Sequence, residues 1–290
     1  MTGFALVLVL AAATIHASFN LLAKRAGASD STAFVWLGTI VSIVSFAPFA
    51  IGTLILQKPV ITAITLIFIA VSGVFHVSYC LTLQRAYKIG DLSLVYPIAR
   101  GTGPLLATLG AILILGERPG PLAISGIALL ALGIFQVAGV GRRGPASGKI
   151  AYLAAAYALL PAGFTAAYTV WDKYCMGILM VPPVFYLWFN QVVRSVILAP
   201  YAWRHRAQVK EVWRSYRKEA IGVGIMSPSG YVLILFALTV APVSHVAPAR
   251  EISILIAAIL GKKLLAEGAA GHRLLGAAAM TIGLICLALG

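Results

Sequence analysis

Long runs of apolar residues, separated by short polar turns, make up nearly the whole chain. An α-helix needs about 20 consecutive apolar residues to cross the hydrocarbon layer of a bilayer. Ten stretches of about this length occur, namely Gly3–Ala23, Thr32–Leu56, Val60–Leu83, Leu92–Leu115, Pro119–Val140, Ile150–Trp171, Val181–Trp203, Ala220–Val240, Val243–Leu265 and Leu274–Gly290. Because lipid offers no partner to backbone polar groups, each stretch is predicted to be a transmembrane helix.

The composition also indicates that the chain lies in a lipid bilayer. Apolar residues make up 61% of the chain and charged residues 10%, and the mean hydropathy is +0.97, all far from the values of soluble domains. A membrane β-barrel needs strands of about ten residues with alternating polarity, whereas these runs are continuous and longer. We therefore expect an all-α polytopic membrane protein with ten transmembrane helices.

The second half of the chain repeats the first. The matching pairs are Ala86 with Ala237, Ser93 with Ser244, Val95 with Val246, Pro97 with Pro248, Arg100 with Arg250, Glu117 with Glu267, Gly126 with Gly276 and Gly133 with Gly283. Pro, Arg and Glu are scarce in so apolar a chain, so chance is a poor explanation. We predict two copies of one unit, residues 1–143 and 144–290, with five helices each. An odd number of helices makes the second copy enter the membrane from the opposite face, which gives inverted repeats of the kind common in secondary transporters.

The net charge of +14 is distributed unequally over the turns. If successive turns alternate between the two sides, 16 of the 22 basic residues lie on one side and three on the other, and three lie inside predicted helices. The positive-inside rule makes the basic side cytoplasmic and puts both termini outside. This placement predicts a protein of the cytoplasmic membrane, and it excludes nucleic acid as the partner.

One basic run, Arg204–Lys218, contains Trp213 and Tyr216. We interpret the run as an orienting loop on the cytoplasmic side. The alternative is an interfacial helix that binds anionic lipid headgroups.

Ionisable residues inside the predicted helices are the first candidates for a functional site, because such residues are costly in lipid. Arg100 lies about 13 Å into its segment, Arg250 lies about 10 Å into its own, and Arg194 is near mid-depth. Each guanidinium needs an acceptor. Glu251 is expected to be the only acid well inside a span, and it is expected to pair with another segment more than with its neighbour Arg250.

Two roles for these arginines stay open. In the functional interpretation, Arg100 or Arg250 binds a substrate carboxylate or phosphate. In the structural interpretation, they bond backbone carbonyls and hold the repeat interface. Arg194 is assigned a structural role, paired through Asn190 and Gln191.

Other polar residues recur at helical spacing and give several predicted helices one polar face, which we expect to line a cavity. The candidate substrate-binding side chains on these faces are His16, Asn20, His76, Tyr79, Tyr96, Tyr168, Trp171 and Tyr231, together with Arg100 and Arg250. Further polar positions on the same faces are Lys24, Ser72, Asp172 and Ser227. Pro97 and Pro248 occupy equivalent places and are predicted to interrupt their helices at a gate.

No catalytic constellation occurs in the sequence. There is no His-Glu-x-x-His pair and no nucleophile elbow, so we expect no enzyme activity. The three cysteines lie in separate segments without metal-ligand spacing, and no cofactor or metal is predicted.

Two motifs carry a resemblance to a known family. Gly90–Gly101, with the sequence GDLSLVYPIARG, is followed by LGERP at Leu115–Pro119, and both are echoed by Ser244–Arg250 and Glu267. In this respect the whole chain resembles the EamA branch of the drug/metabolite transporter superfamily. The resemblance implies ten helices in two inverted repeats, a central cavity, and export of amino acids or other small metabolites by alternating access.

The candidate residues narrow the choice of substrate. Small multidrug exporters of this superfamily are similar in having a buried Glu in the first helix, whereas this chain has His16 and Asn20 there, which disfavours exchange of protons for cationic drugs. Intramembrane Arg favours carboxylates, so amino acids lead as substrates, with the solute gradient as driving force or with a proton carried by His16 or His76. The alternative is a flippase or exporter of a lipid-linked or phosphorylated metabolite. We expect a monomer in the lipid bilayer whose partner is a small solute.

Overall fold

The computed structural model describes residues 2–25, 31–89, 92–138, 149–256 and 271–290, and all regular secondary structure in these ranges is helical. The helices are α1 (Gly3–Arg25), α2 (Ser31–Gln57), α3 (Ala63–Ile89), α4 (Leu92–Leu115), α5 (Pro121–Ala138), α6 (Lys149–Leu179), α7 (Pro183–Arg204), α8 (Arg206–Val240), α9 (Val243–Arg250) and α10 (Gly271–Leu289). The predicted all-α class is confirmed. Residues 257–265 of the ninth predicted segment and Glu267 lie outside the described residues.

Five of the described helices are long and apolar enough to cross a membrane: these spans are Gly3–Asn20, Thr32–Gln57, Ala63–Ala86, Ile98–Leu115 and Arg206–Val240. Large apolar side chains face outward from them, among them Phe4, Val44, Leu56 and Ile64, of which Leu56 is 84% exposed. An apolar surface of this extent requires lipid around it.

The two halves interlock and do not form two separate bundles. Helix α1 packs on α8 and α3 packs on α6, while α2 contacts α7, α4 contacts α9 and α5 contacts α10. With five helices per copy, α1 corresponds to α6 and α3 to α8. Exchanging the two copies therefore converts the contact of α1 with α8 into the contact of α6 with α3. A pseudo-two-fold axis between the copies produces this pattern.

The clearest crossing joins α5 to α10 through glycines. A Cβ atom added at Gly126 would lie 2.7 Å from the Gly283 carbonyl oxygen, and one added at Gly133 would lie 2.7 Å from that of Gly276. As one position rises along α5 its partner falls along α10, so these equivalent helices are antiparallel. The glycines that pair in the repeat thus let the two helices pack closely. The antiparallel crossing is the geometry that an inverted repeat requires.

Helix α4 is continuous from Leu92 to Leu115, so the predicted interruption at Pro97 is wrong. Its glycines serve packing between helices. A Cβ atom added at Gly101 would lie 3.1 Å from the Phe135 ring on α5, and one at Gly103 would lie 3.2 Å from Thr165 Cγ2 on α6. Small residues let helix backbones approach closely inside a membrane.

The ninth predicted segment, in contrast, is interrupted. Helix α9 ends at Arg250, Glu251 lies in a turn, and residues 252–256 are helical again. The Glu251 amide donates to the Pro248 carbonyl at 3.0 Å, a tighter bond than the usual helical one from residue i to residue i−4. The predicted break near Pro248 is therefore present.

The basic run Arg204–Lys218 is helical, so the orienting loop expected there is wrong. Helix α8 begins at Arg206 and kinks at Tyr216, where φ is −130° and ψ is 27°. Val212 is buried against an apolar cluster on α2, while Lys210 and Arg214 are exposed. The segment before the kink is therefore amphipathic. Its many basic residues kept it out of the apolar runs from which helices were predicted.

Candidate functional site

The predicted arginines of the two copies meet at a single acid. Glu251 Oε2 lies 3.7 Å from Arg100 Nε on α4, and Glu251 Oε1 lies 3.5 Å from Arg250 Nε on α9. Glu251 therefore contacts its neighbour as well as the other segment, which corrects the expectation that it avoids Arg250. The side chains of Glu251 and Arg250 are buried, and that of Arg100 is 12% exposed. One carboxylate thus bridges two arginines that are equivalent in the repeat.

The arginine cluster, which we define as Arg100, Arg250, Glu251 and His16, carries a net positive charge. Arg100 Nη2 donates to His16 Nε2. A guanidinium has only donors, so His16 accepts with a neutral ring. Among these four described side chains, two guanidinium groups and one carboxylate give a charge of +1.

Two buried atoms of this cluster, Arg250 Nη2 and Glu251 Oε2, have no hydrogen-bond partner in the described part of the chain. Arg250 Nη2 is buried, and no atom of the described part of the chain accepts a hydrogen bond from it. A buried N–H of a charged group without an acceptor costs roughly 1–3 kcal/mol or more. An anionic oxygen from a ligand would satisfy both the unbonded N–H and the excess positive charge.

A second polar cluster surrounds Asp172 on α6. Ser72 Oγ on α3 and Tyr186 Oη on α7 donate to Asp172 Oδ1 at 2.6 and 2.7 Å, and Tyr231 Oη on α8 donates to Oδ2. Asn190 Nδ2 on α7 donates to Ser72 Oγ at 3.0 Å. Hydroxyl groups from three other helices thus converge on one fully buried carboxylate.

Asp172 lies on a predicted polar face but is not among the site residues that the sequence predicts. The sequence also predicts Glu251 as the only acid well inside a span, whereas the structure shows a second buried acid, Asp172, inside α6. Helix α6 continues to Leu179, seven residues beyond Asp172. The four-residue spacing of Tyr168 and Asp172 was the available signal, and the predicted end of the helix at Trp171 hid it.

Aromatic rings pack together beside the Asp172 cluster. The His76 ring stacks on Tyr168 at 4.0 Å and meets the edge of Tyr231 at 5.2 Å, and Tyr79 lies 6.0 Å from Tyr168. These four candidate side chains are therefore brought together, as the polar faces predicted.

Trp171 has a different environment. Its Nε1 donates to the Phe68 carbonyl at 2.9 Å, and its ring stacks on Phe68 at 4.9 Å. The structure places it in an aromatic cluster with Phe68 and Tyr174, where it joins α6 to α3.

The remaining candidates are placed as follows. Asn20 is half-buried on α1, one turn after His16. Arg194 Nη1 donates to Gln191 Oε1 at 2.7 Å, the intrahelical bond expected for it, and Nη2 contacts Cys80 Sγ at 3.8 Å. The backbone of α4 is described at Tyr96 and Pro97, whereas their side chains lie outside the described residues.

Two charged side chains fix the helix ends beside the site. Glu117, in the turn after α4, accepts from the Val243 and Ser244 amides at 2.7 and 2.9 Å and so caps the N-terminus of α9. Lys173 Nζ donates to the Leu238 and Ala241 carbonyls at 2.6 and 3.0 Å and caps the C-terminus of α8. Both caps position the segment that carries Arg250 and Glu251.

Comparison with known proteins supports the same architecture. The sequence profile of the EamA-like transporter family matches twice, over residues 3–139 and 152–289. No curated protein matches the chain. One solved structure, titled "Crystal structure of protein", has a TM-score of 0.80 at 15% identity and covers 100% of this chain and 98% of that chain. That likeness shows the fold alone, whereas the family match covers nearly the whole sequence in two repeats. The chain therefore belongs to the EamA-like transporter family of the drug/metabolite transporter superfamily and is a multi-pass membrane transporter.

Proposed function

We propose that this transporter exports small metabolites that carry a carboxylate, amino acids foremost, across the cytoplasmic membrane by alternating access. The observation that carries the proposal is the buried Arg250 Nη2 without an acceptor, in a cluster with a charge of +1. A carboxylate bound there forms charge-assisted hydrogen bonds and neutralises the cluster. The aromatic rings of His76, Tyr168 and Tyr231 suit an apolar or aromatic substrate side chain.

The position of the cluster fits alternating access. Arg100 belongs to the first copy and Arg250 to the second, so relative motion of the copies exposes the cluster to one side and then to the other. Pro97 and Pro248 are the proposed gating positions. The exposed basic residues of α8 face the cytoplasm in this proposal, the termini lie outside, and the protein acts as a monomer.

Arg100→Gln is expected to reduce carboxylate transport by about tenfold or more. Loss of a hydrogen bond to a charged group costs roughly 1.5–3 kcal/mol, and 1.4 kcal/mol corresponds to a factor of about ten. The measurement is counterflow of radiolabelled L-phenylalanine, L-threonine and L-glutamate in proteoliposomes, with equal amounts of reconstituted protein.

Arg118→Gln is the matched control, because Arg118 is an exposed arginine in the turn after α4. We expect it to transport like the wild type. Unchanged counterflow in Arg100→Gln would exclude substrate binding by this arginine. Activity confined to lipid-linked or phosphorylated substrates would instead support the flippase or phosphorylated-metabolite exporter.

A further inference from the structure

Helix α8 is longer than a membrane crossing requires. Its 35 residues would extend about 52 Å as a straight helix, whereas the hydrocarbon layer of a bilayer is about 30 Å thick. The apolar part from Ala220 to Val240 already accounts for about 31 Å. Residues 206–215, which precede the kink at Tyr216 and which we call the basic segment, therefore lie outside the hydrocarbon layer.

One face of the basic segment packs on the start of α2. Val212 is buried, and Val209 packs beside it, in a cluster that contains Ala33 and Phe34 of α2. The apolar span of α2 begins at Thr32, so this contact lies where α2 enters the hydrocarbon layer. The contact and the direct connection to the rest of α8 together hold the basic segment at the level of the lipid headgroups.

A second face of the basic segment carries a stripe of positive charge. Arg206, Lys210 and Arg214 are exposed and lie four residues apart, so their side chains are neighbours on the helix surface. Trp213 is 39% exposed. At 100° per residue it lies between this stripe and the packed face of Val212. The stripe is therefore bordered by the kind of side chain that prefers the boundary between lipid and water.

The stripe borders an open hollow of about 570 Å³, lined by Ala207, Lys210, Glu211, Arg214 and Ser215. Lys210 and Arg214 supply charged donors, and the Ser215 hydroxyl supplies a neutral one. A phosphate group accepts strong hydrogen bonds from such donors. Glu211 opposes an anion there, but its single negative charge is smaller than the two positive charges of Lys210 and Arg214.

Positive charge also dominates the surroundings of the hollow. Residues 204–219 contain two acids, Glu211 and the half-buried Glu219, and a larger set of exposed basic residues, namely Arg204, Arg206, Lys210, Arg214, Arg217 and Lys218. Clusters of this size on an amphipathic helix next to a membrane-spanning segment are typical of segments that bind anionic lipids.

We propose that the basic segment binds the phosphate headgroup of an anionic phospholipid, with Lys210 and Arg214 in direct contact and Trp213 beside the acyl chains. A lipid fits better than a soluble acidic partner, because the packing on α2 holds this face at headgroup level. The interaction does not depend on the solute that the protein transports.

Two double variants with the same net charge test the proposal. Phosphatidylglycerol and phosphatidylcholine with identical acyl chains are titrated into the purified transporter in a neutral detergent, and native mass spectrometry counts the lipids bound. The wild type is expected to bind phosphatidylglycerol more tightly, with a preference that falls as the ammonium acetate concentration rises. Each basic residue near an anionic surface contributes about fivefold in affinity. Lys210→Gln/Arg214→Gln should therefore weaken phosphatidylglycerol binding roughly 25-fold and leave phosphatidylcholine binding unchanged.

Lys58→Gln/Arg118→Gln is the matched control, because it removes two exposed positive charges from other turns. It should keep the wild-type preference. Glu211→Gln should tighten phosphatidylglycerol binding about fivefold, and a folding defect does not produce such a gain. Inorganic phosphate at equal ionic strength should not displace the lipid, since it has no acyl chains. Equal binding of the two lipids, an equal loss in both double variants, or displacement by inorganic phosphate would overturn the proposal.

Discussion

At the scale of the residue, the site depends on one difference between the copies. Arg100 and Arg250 occupy equivalent positions, but the residue after Arg100 is Gly101 and the residue after Arg250 is Glu251. The repeat therefore supplies two arginines, and only the second copy supplies an acid. A symmetric pair of glutamates would have matched the two arginines in charge, whereas the single glutamate leaves an excess of one positive charge among these described side chains.

Glu251→Gln is expected to lower the free energy of unfolding by about 3–5 kcal/mol, because it leaves two buried guanidinium groups without their carboxylate. The measurement is the thermal unfolding midpoint of the purified protein in detergent. Glu211→Gln removes an exposed acid of α8 and serves as the control, with an unchanged midpoint expected. Equal midpoints for the two variants would show that Glu251 does not hold the arginines.

The sequence predicted the arginine cluster better than it predicted the acids. The energetic cost of ionisable residues in lipid was sufficient to identify Arg100, Arg250 and Glu251. Helical spacing identified the polar helix faces that carry His76 and Tyr168. The expectation that Arg250 and Glu251 avoid each other assumes a continuous helix, so it fails where α9 ends at Arg250. A single sequence does not show which helices contact each other, and those contacts decide which partner each side chain finds.

At the scale of the element, α9 is the unusual helix. It has eight residues, all of them buried, and its N-terminus is capped by Glu117 of the other copy. Pro248 has no N–H, so the Ser244 carbonyl lacks its usual partner in the helix. The arginine cluster therefore lies where two short helical pieces meet and where a small rotation requires the loss of few hydrogen bonds.

Pro248→Ala is expected to lower the turnover number severalfold while the dissociation constant of the substrate stays unchanged. Alanine supplies an N–H to the Ser244 carbonyl and stiffens the junction that is proposed to move. Counterflow rates and calorimetric affinity measure the two quantities separately.

Pro48→Ala is the matched control for the gating proposal. Pro48 also lies inside a helix, but it is exposed on α2. Turnover should not change in this variant. Wild-type turnover in Pro248→Ala would identify Pro248 as a packing kink.

The hydrophobic runs predicted the positions of the helices well. The errors in the predicted helix ends have a common cause. Helix α8 begins 14 residues before the predicted Ala220 because its first turns are amphipathic and lie outside any apolar run. Helix α6 runs past Trp171 because Asp172 and Lys173 are bonded to other helices. In both places polar residues ended the predicted segment, although the helix continues through them because they pack on or bond to neighbouring helices.

At the scale of the whole molecule, the crossing of α5 and α10 holds the copies together. Gly126→Ala is expected to destabilise the protein by about 1–3 kcal/mol, since its Cβ atom would lie 2.7 Å from the Gly283 carbonyl oxygen. Gly52→Ala is the control, because nothing lies within 4 Å of a Cβ atom there. The control should be stabilised by about 0.5–1 kcal/mol, since alanine favours a helix. Unfolding midpoints that move in the same direction would contradict this account of the crossing.

The same crossing has a consequence for the origin of the chain. Exchange of the copies turns one contact across it into the other, since Gly126 meets Gly283 and Gly133 meets Gly276. Two separate molecules of one five-helix protein, inserted in opposite orientations, would form this seam with each other. When the two copies are joined in one chain, the orientation of each copy in the membrane is fixed. A mutation can then change one copy without changing the other. The lone glutamate between two matched arginines is a change that a pair of identical subunits has no means to make.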